Sequence, residues 1–138
     1  MEPASPARLY ATVAGALLVV LGIVGFFYDA SFSGLDDLEP ALGLLEVNAW
    51  FNLLYLATGA LGVLVAGVAS RSYALAMGLL FTLLAIFGPG SWGLHLAIGL
   101  LGLAAAAGTP KRGSFVLQER TKEPRKSKSR AKPARQRA

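Results

Sequence analysis

The sequence predicts an all-α integral membrane protein: a four-helix bundle built from two parallel-repeat helical hairpins, followed by a disordered basic C-terminal tail. Three observations carry that prediction. Four runs (residues 9–28, 49–69, 73–88 and 91–108) contain no Asp, Glu, Lys or Arg, in a chain of 138 residues that is 54% hydrophobic. A bilayer core accepts about 20 apolar residues per helix, at roughly 1.5 Å of rise each. Charge is split along the chain: eleven of the thirteen Lys and Arg residues lie from Lys111 onward against two acids, a net of +9, whereas residues 1–110 hold Arg8 and Arg71 against six acids, a net of −4. The apolar runs also repeat. These features divide the chain into a four-helix domain over 1–110 and a tail over 111–138.

Span one, 9–28, reads as a retained helix. Its only preceding base is Arg8, its run exceeds a signal core of about 7 to 15 residues, and no small-x-small cleavage site follows Tyr28. The next loop carries Asp29, Asp36, Asp37, Glu39 and Glu46 and no base. Arg8, the short connection containing Arg71 and the basic tail therefore mark the cytoplasmic side of the cell membrane, with both termini inside. Tyr10 and Tyr73 are expected as aromatic anchors at the inner face, and Trp50 and Trp92 at the outer face. Span two runs over 49–69. Span three, 73–88, is only 16 residues and is expected to stand nearly upright or to take a turn from Gly88-Pro89-Gly90. Span four, 91–108, closes a tight hairpin with it.

A shift of 63 residues lays Arg8, Tyr10, Ala11, Gly15, Leu17, Leu21, Ile23 and Gly25 on Arg71, Tyr73, Ala74, Gly78, Leu80, Leu84, Ile86 and Gly88. A shift of 40 lays Leu54, Leu56, Ala57, Gly59, Leu61 and Gly62 on Leu94, Leu96, Ala97, Gly99, Leu101 and Gly102. Spans one and three, and spans two and four, are thus copies running in the same direction, related by an axis along the membrane normal. In lipid, helices associate through close backbone approach at small residues. Gly15, Gly22, Gly59, Gly62, Gly78, Gly99 and Gly102 are the expected packing seams.

Polar residues within the spans are few. Asn48, Asn52 and Tyr55 share a face of span two, and His95, the only histidine, aligns with Tyr55 under the repeat. These four form a candidate polar cluster near the outer face, serving either as a proton- or ligand-responsive site or as a neutral hydrogen-bonded staple between hairpins.

The stretch Leu44-Leu45-Glu46-Val47-Asn48-Ala49-Trp50-Phe51-Asn52-Leu53-Leu54-Tyr55-Leu56, with Ala57-Thr58-Gly59-Ala60-Leu61-Gly62 after it, resembles the signature of domain of unknown function 4383, a family of small four-helix bacterial membrane proteins. Arg71-Ser72-Tyr73-Ala74 with Gly78, and Leu94-His95-Leu96 with Gly99, resemble its later motifs. The likeness covers roughly 8–108 and leaves out the tail. It implies the four-helix architecture and no activity. Where members of that family commonly carry His-Asn and a second His, this chain has Phe51-Asn52 and Tyr55, which argues against a metal or haem site.

Function classes narrow accordingly. There is no Cys, nucleophile elbow, phosphate loop or paired intramembrane carboxylate, so neither catalysis nor a cofactor is expected. The spans' lack of a carboxylate also argues against ion-coupled transport. The tail suits anionic lipid head groups through Lys111, Arg112, Arg120, Lys122, Arg125 and Lys126, each worth on the order of 1 kcal/mol near such a surface. It lacks the aromatic interleaving expected of a nucleic-acid binder. The expected role is structural, accessory or partner-binding, within a homo-oligomer or with another membrane protein. The alternative is small-solute or ion permeation.

Overall fold

The computed structural model describes residues 4–43 and 45–111. They form helix α1 (Pro6–Tyr28), strands β1 (Glu39–Ala41) and β2 (Leu45–Val47), and helices α2 (Ala49–Val65), α3 (Ser70–Phe87) and α4 (Trp92–Ala107). The tail from Arg112 lies outside the described residues.

Local chemistry sets the helix ends. Ser5 caps α1 by accepting from the Arg8 N–H at 3.2 Å, and Pro6 follows at the first helical position, where its missing N–H costs nothing. Asn48 caps α2 in the same way, accepting from the Phe51 N–H at 3.0 Å. Helix α2 stops at Val65, four residues before its apolar run ends, because the Val68 and Ala69 N–H groups both turn back to the Val65 carbonyl. Helix α3 then starts at Ser70, so Arg71 belongs to its first turn and not to the connection. The short third run gains its extra turn at this end. Gly88 takes extended angles (φ −88°, ψ 158°), as the residue before Pro89 must, and no turn is added from Gly88-Pro89-Gly90. Gly90, at φ +87°, closes the link to α4.

The acidic loop holds an element absent from the sequence expectation, the antiparallel hairpin of β1 and β2, which pairs Glu39 with Val47 and Ala41 with Leu45. Its turn places Leu42 and Gly43 in the left-handed region (φ 54° and 70°), a geometry that matches strand twist in tight hairpins. Ala41, Leu45 and Val47 are buried against Leu21 and Leu94, so the hairpin covers the loop end of the helices.

Helix α1 packs along α2, and α3 along α4, with backbones nearly touching. A Cβ on Gly59 would lie 2.6 Å from the Gly15 carbonyl oxygen and 2.6 Å from the Val19 nitrogen. The repeat is visible in these contacts. A Cβ on Gly15 would meet the Val63 nitrogen at 3.1 Å, and one on Gly78 would meet the equivalent Leu103 nitrogen at 2.7 Å. Gly62 faces the Tyr73 hydroxyl and the Ala11 carbonyl, while Gly102 faces the Tyr10 hydroxyl and the Ala74 carbonyl. The Gly59–Val19 contact likewise maps onto that of Gly99 with the Thr82 nitrogen, at 2.6 Å.

Helices α1 and α3 are long and apolar enough to cross a membrane. Only 33% and 28% of their most apolar windows are buried, so they are not core helices wrapped by the rest of the chain. Their buried stripes are small, such as Ala7, Ala11, Gly15, Gly22 and Gly25 on α1, and their exposed faces are Leu, Val, Ile and Phe.

Candidate functional site

The polar side chains singled out in the sequence all fall at the N-terminal part of α2 and α4, under the loop, but they divide between two tasks. Asn48 is fully buried. While its Oδ1 caps α2, its Nδ2 lies 3.3 Å from each of the Gly34, Leu35 and Asp37 carbonyl oxygens, so one side chain ties the acidic loop to the helix start. Asn52, one turn on, donates from Nδ2 to the Asp29 carbonyl oxygen at 2.8 Å, which holds the chain as it leaves α1. Its Oδ1 packs on Gly25, where any Cβ would collide with it, and has no hydrogen-bond partner among the described residues.

Tyr55 and His95 form the second group. The tyrosine hydroxyl lies 2.7 Å from His95 Nε2, joining α2 of the first hairpin to α4 of the second. The two residues occupy equivalent repeat positions, so the bond crosses the pseudo-two-fold axis. Phe51 stacks on the imidazole with centroids 5.7 Å apart and planes at 26°, and Phe81 approaches it at 5.7 Å and 45°. Phe81 also stacks on Tyr55 at 6.2 Å and 23°. His95 is 1% exposed, and its Nδ1 has no hydrogen-bond partner among the described residues. With the fully buried Leu18, the repeat counterpart of Phe81, these rings fill the axis.

Two tyrosines lie deeper on the same axis. The Tyr10 hydroxyl donates to the Ile98 carbonyl at 3.0 Å, and the Tyr73 hydroxyl donates to the Thr58 carbonyl at 2.9 Å. Tyr10 maps onto Tyr73 and Thr58 onto Ile98, so these are two copies of one clasp, each linking one hairpin to the other. This corrects the anchor expectation: both tyrosines are buried (8% and 5% exposed), because a phenol inside an apolar assembly must direct its O–H to an acceptor, and a carbonyl of the other hairpin supplies it. Trp50 and Trp92 are exposed, and Trp50 donates from its indole N–H to the Ser33 carbonyl.

At the opposite end, Thr109 accepts from the Ala7 N–H at 2.9 Å through its hydroxyl, and its carbonyl accepts from Arg71 Nε at 2.9 Å. The expected packing glycines (Gly15, Gly22, Gly59, Gly62, Gly78, Gly99 and Gly102) are all buried at helix contacts. Lys111 is exposed at the end of the described chain, and the remaining tail bases proposed to meet anionic lipid lie outside the described residues.

Charge gathers in the loop, where Asp29, Asp36, Asp37 and Glu39, with Ser31 and Ser33, line an open cleft of ≈ 400 Å³. The Asp29 carboxylate accepts from the Ser31 hydroxyl at 2.6 Å and from the Ser31 N–H at 2.8 Å, which together hold it below its ordinary value. Among the described residues, no group of three or more His, Asp or Glu side chains is arranged to hold a metal ion.

The two tyrosine clasps and the aromatic cage about His95 were not anticipated, although the matched Tyr10 and Tyr73 of the repeat were a usable signal. The Ser91 bridge had none: its hydroxyl accepts from the Glu46 N–H at 2.8 Å across 45 residues of chain.

The family described as Domain of unknown function (DUF4383) matches residues 8–93. The match ends before His95 and the Leu94–Gly99 stretch, so it is shorter than the resemblance read from the motifs. No curated protein matches the chain, and no solved structure does.

Proposed function

The chain belongs to the DUF4383 family, and from that premise we propose a multi-pass protein of the cell membrane that acts through packing and partner contact, without catalysis. One observation carries this reading. On all four helices large apolar side chains face outward, among them Leu9 (67%), Leu64 (78%), Phe87 (81%) and Leu101 (63%), while Asn48, Asn52, Ser70 and His95 are buried (0–1%). Water would penalise such an exterior, and monomeric soluble proteins rarely carry an apolar surface so continuous. A lipid environment accepts it. Helices α2 and α4, at 17 and 16 residues, sit at the lower limit of a spanning length, and the turn residues flanking them complete the crossing. The basic tail and the Arg8 and Arg71 ends then lie in the cytoplasm, with the acidic loop outside.

The buried glycine contacts and the filled axis support a packing role. They weigh against solute or ion permeation through one copy, because Tyr55 and His95 are buried and bond to each other. The tail is assigned to anionic head groups on the cytoplasmic leaflet.

Crosslinking in native membranes, after alkaline carbonate washing, tests the reading. The protein should stay in the membrane pellet and be captured in a stable homo- or hetero-oligomer. Release by carbonate, or a strictly monomeric protein without partners, overturns it. Truncation after Gly113 should weaken binding to anionic vesicles at low salt, and equal binding with and without the tail defeats the head-group assignment.

A further inference from the structure

We propose that the Tyr55–His95 hydrogen bond is an acid-sensitive latch between the two hairpins, closed while the imidazole is neutral and released when it takes up a second proton. The inference goes beyond the packing role and requires no solute path.

The geometry has three parts. First, the bond is the side-chain pairing that crosses the axis under the loop, between α2 and α4 at 2.7 Å. Second, the ring is 1% exposed and wrapped by Phe51, Tyr55 and Phe81. Third, Nδ1 has no hydrogen-bond partner among the described residues. A neutral imidazole carries one N–H and one lone pair, so a single bond to the Tyr55 hydroxyl satisfies one nitrogen and leaves the other with a modest deficit. A charged imidazole carries two N–H donors. Nε2–H would still point at the Tyr55 oxygen, but Nδ1–H would have no acceptor bonded to it among the described residues.

Among the described residues no counter-charge contacts the ring. Helices α2 and α4 contain no Asp, Glu, Lys or Arg; α1 and α3 contain only Arg8 and Arg71, both at the far end, where Arg71 is engaged with Thr109. From α1 the nearby titratable group is Tyr10, committed to the Ile98 carbonyl; from α3 it is Tyr73, committed to the Thr58 carbonyl. On the loop side Asp29, Asp36, Asp37 and Glu39 line the open cleft, Asp29 meeting α2 through its carbonyl and Asn52, and Glu46, exposed on β2, meets α4 through its backbone and Ser91. The ring faces attract a cation, yet they offset only part of its lost hydration.

The open form therefore binds the proton and the closed form does not. By linkage, falling pH favours opening, through the range between about pH 7 and pH 5 in which an accessible imidazole titrates. Release separates the start of α4 from α2 directly beneath the loop hairpin.

Since the chain has one histidine, isotope-labelled histidine in the full-length protein, held in phospholipid nanodiscs, gives one imidazole signal to follow by NMR. Hydrogen exchange of 51–58 and 94–99, corrected for the intrinsic pH dependence, reports opening alongside it. Lowering the pH from about 7.5 to about 5 should reduce protection about tenfold or more, in step with the appearance of a charged imidazole. His95→Gln should flatten that profile. Tyr55→Phe, which keeps the cage, should lower protection at neutral pH and retain the acid response, so the test survives if the first variant does not fold. The latch is overturned by a charged imidazole with unchanged protection, by protection that is constant down to about pH 5, by an acid response in His95→Gln equal to the wild type's, or by a Tyr55→Phe profile identical to the wild type's.

Discussion

Replacing Gly59 with alanine adds one methyl group where α1 and α2 come closest. Its carbon would lie 2.6 Å from both the Gly15 carbonyl oxygen and the Val19 nitrogen, and 2.9 Å from Leu18 Cβ, whereas ordinary contact begins at 3.4 Å. The obstacles are backbone atoms of a helix, which cannot swing aside as the end of a side chain can, so the two helices must separate by about 0.8 Å. Overpacking of this kind costs about 1–3 kcal/mol. Alanine's better helix propensity offsets about 1 kcal/mol of that, leaving a net loss of about 0–2 kcal/mol. Gly93, on the exposed side of α4, is the internal control: nothing lies within 4 Å of a Cβ there. Gly93→Ala should be neutral or stabilising by up to about 1 kcal/mol. The two variants should thus differ by about 2 kcal/mol, roughly thirtyfold in the unfolding equilibrium. Reversible unfolding in mixed micelles, followed by helical circular dichroism and by Trp50 and Trp92 fluorescence, measures the difference. Gly99→Ala, the repeat counterpart, meets the Thr82 nitrogen at 2.6 Å and should lose as much as Gly59→Ala. Equal stability of Gly59→Ala and Gly93→Ala would refute the close-approach reasoning.

Tyr10→Phe and Tyr73→Phe each remove one copy of the clasp. In the same unfolding assay each should cost about 1 kcal/mol, the two values agreeing within about 0.5 kcal/mol; because the two rings lie 6.2 Å apart, the double variant should depart from their sum by about 0.5 kcal/mol or more. Asn48→Ala removes a helix cap and three contacts to loop carbonyls; a loss of about 1–3 kcal/mol is expected, with faster amide exchange at 34–37. Asp29 ionises more readily than a free carboxyl because Ser31 donates to its charged form. Its contribution to the 29–33 turn is therefore present above the unfolded value of about 3.9 and is lost as pH falls through the lower folded value. Amide shifts of 31–33 should show that acid transition, and Asp29→Asn should abolish it.

Much of the helical framework was legible because its signals are local. The apolar runs located all four helices. Boundaries were less accessible. The run over 49–69 is apolar to its end, yet α2 stops at Val65, because the Val65 carbonyl closes a turn that hydropathy does not register. Arg71 read as a loop residue since charge ends an apolar run, but the helix continues through it while the side chain reaches Thr109. The loop strands were hidden by their length of three residues each, too short for an alternating pattern. The polar group near α2 was recognised as a set of residues on one face, but its division between loop anchoring by Asn48 and Asn52 and axis bonding by Tyr55 and His95 was not.

What the sequence alone determined is the placement of size and polarity along each helix: small residues on one stripe, bulky apolar residues on the rest, and a repeated register that makes the halves equivalent. These follow from a period of 3.6 residues, which any single helix expresses by itself. Only the tertiary structure decided the pairings, because a hydrogen bond requires about 3 Å and a direction, and both depend on the separation and rotation of helices from different hairpins. Tyr10 finds Ile98, Tyr73 finds Thr58 and Tyr55 finds His95 only when the two hairpins, each closed on its own glycine contacts, pack against one another.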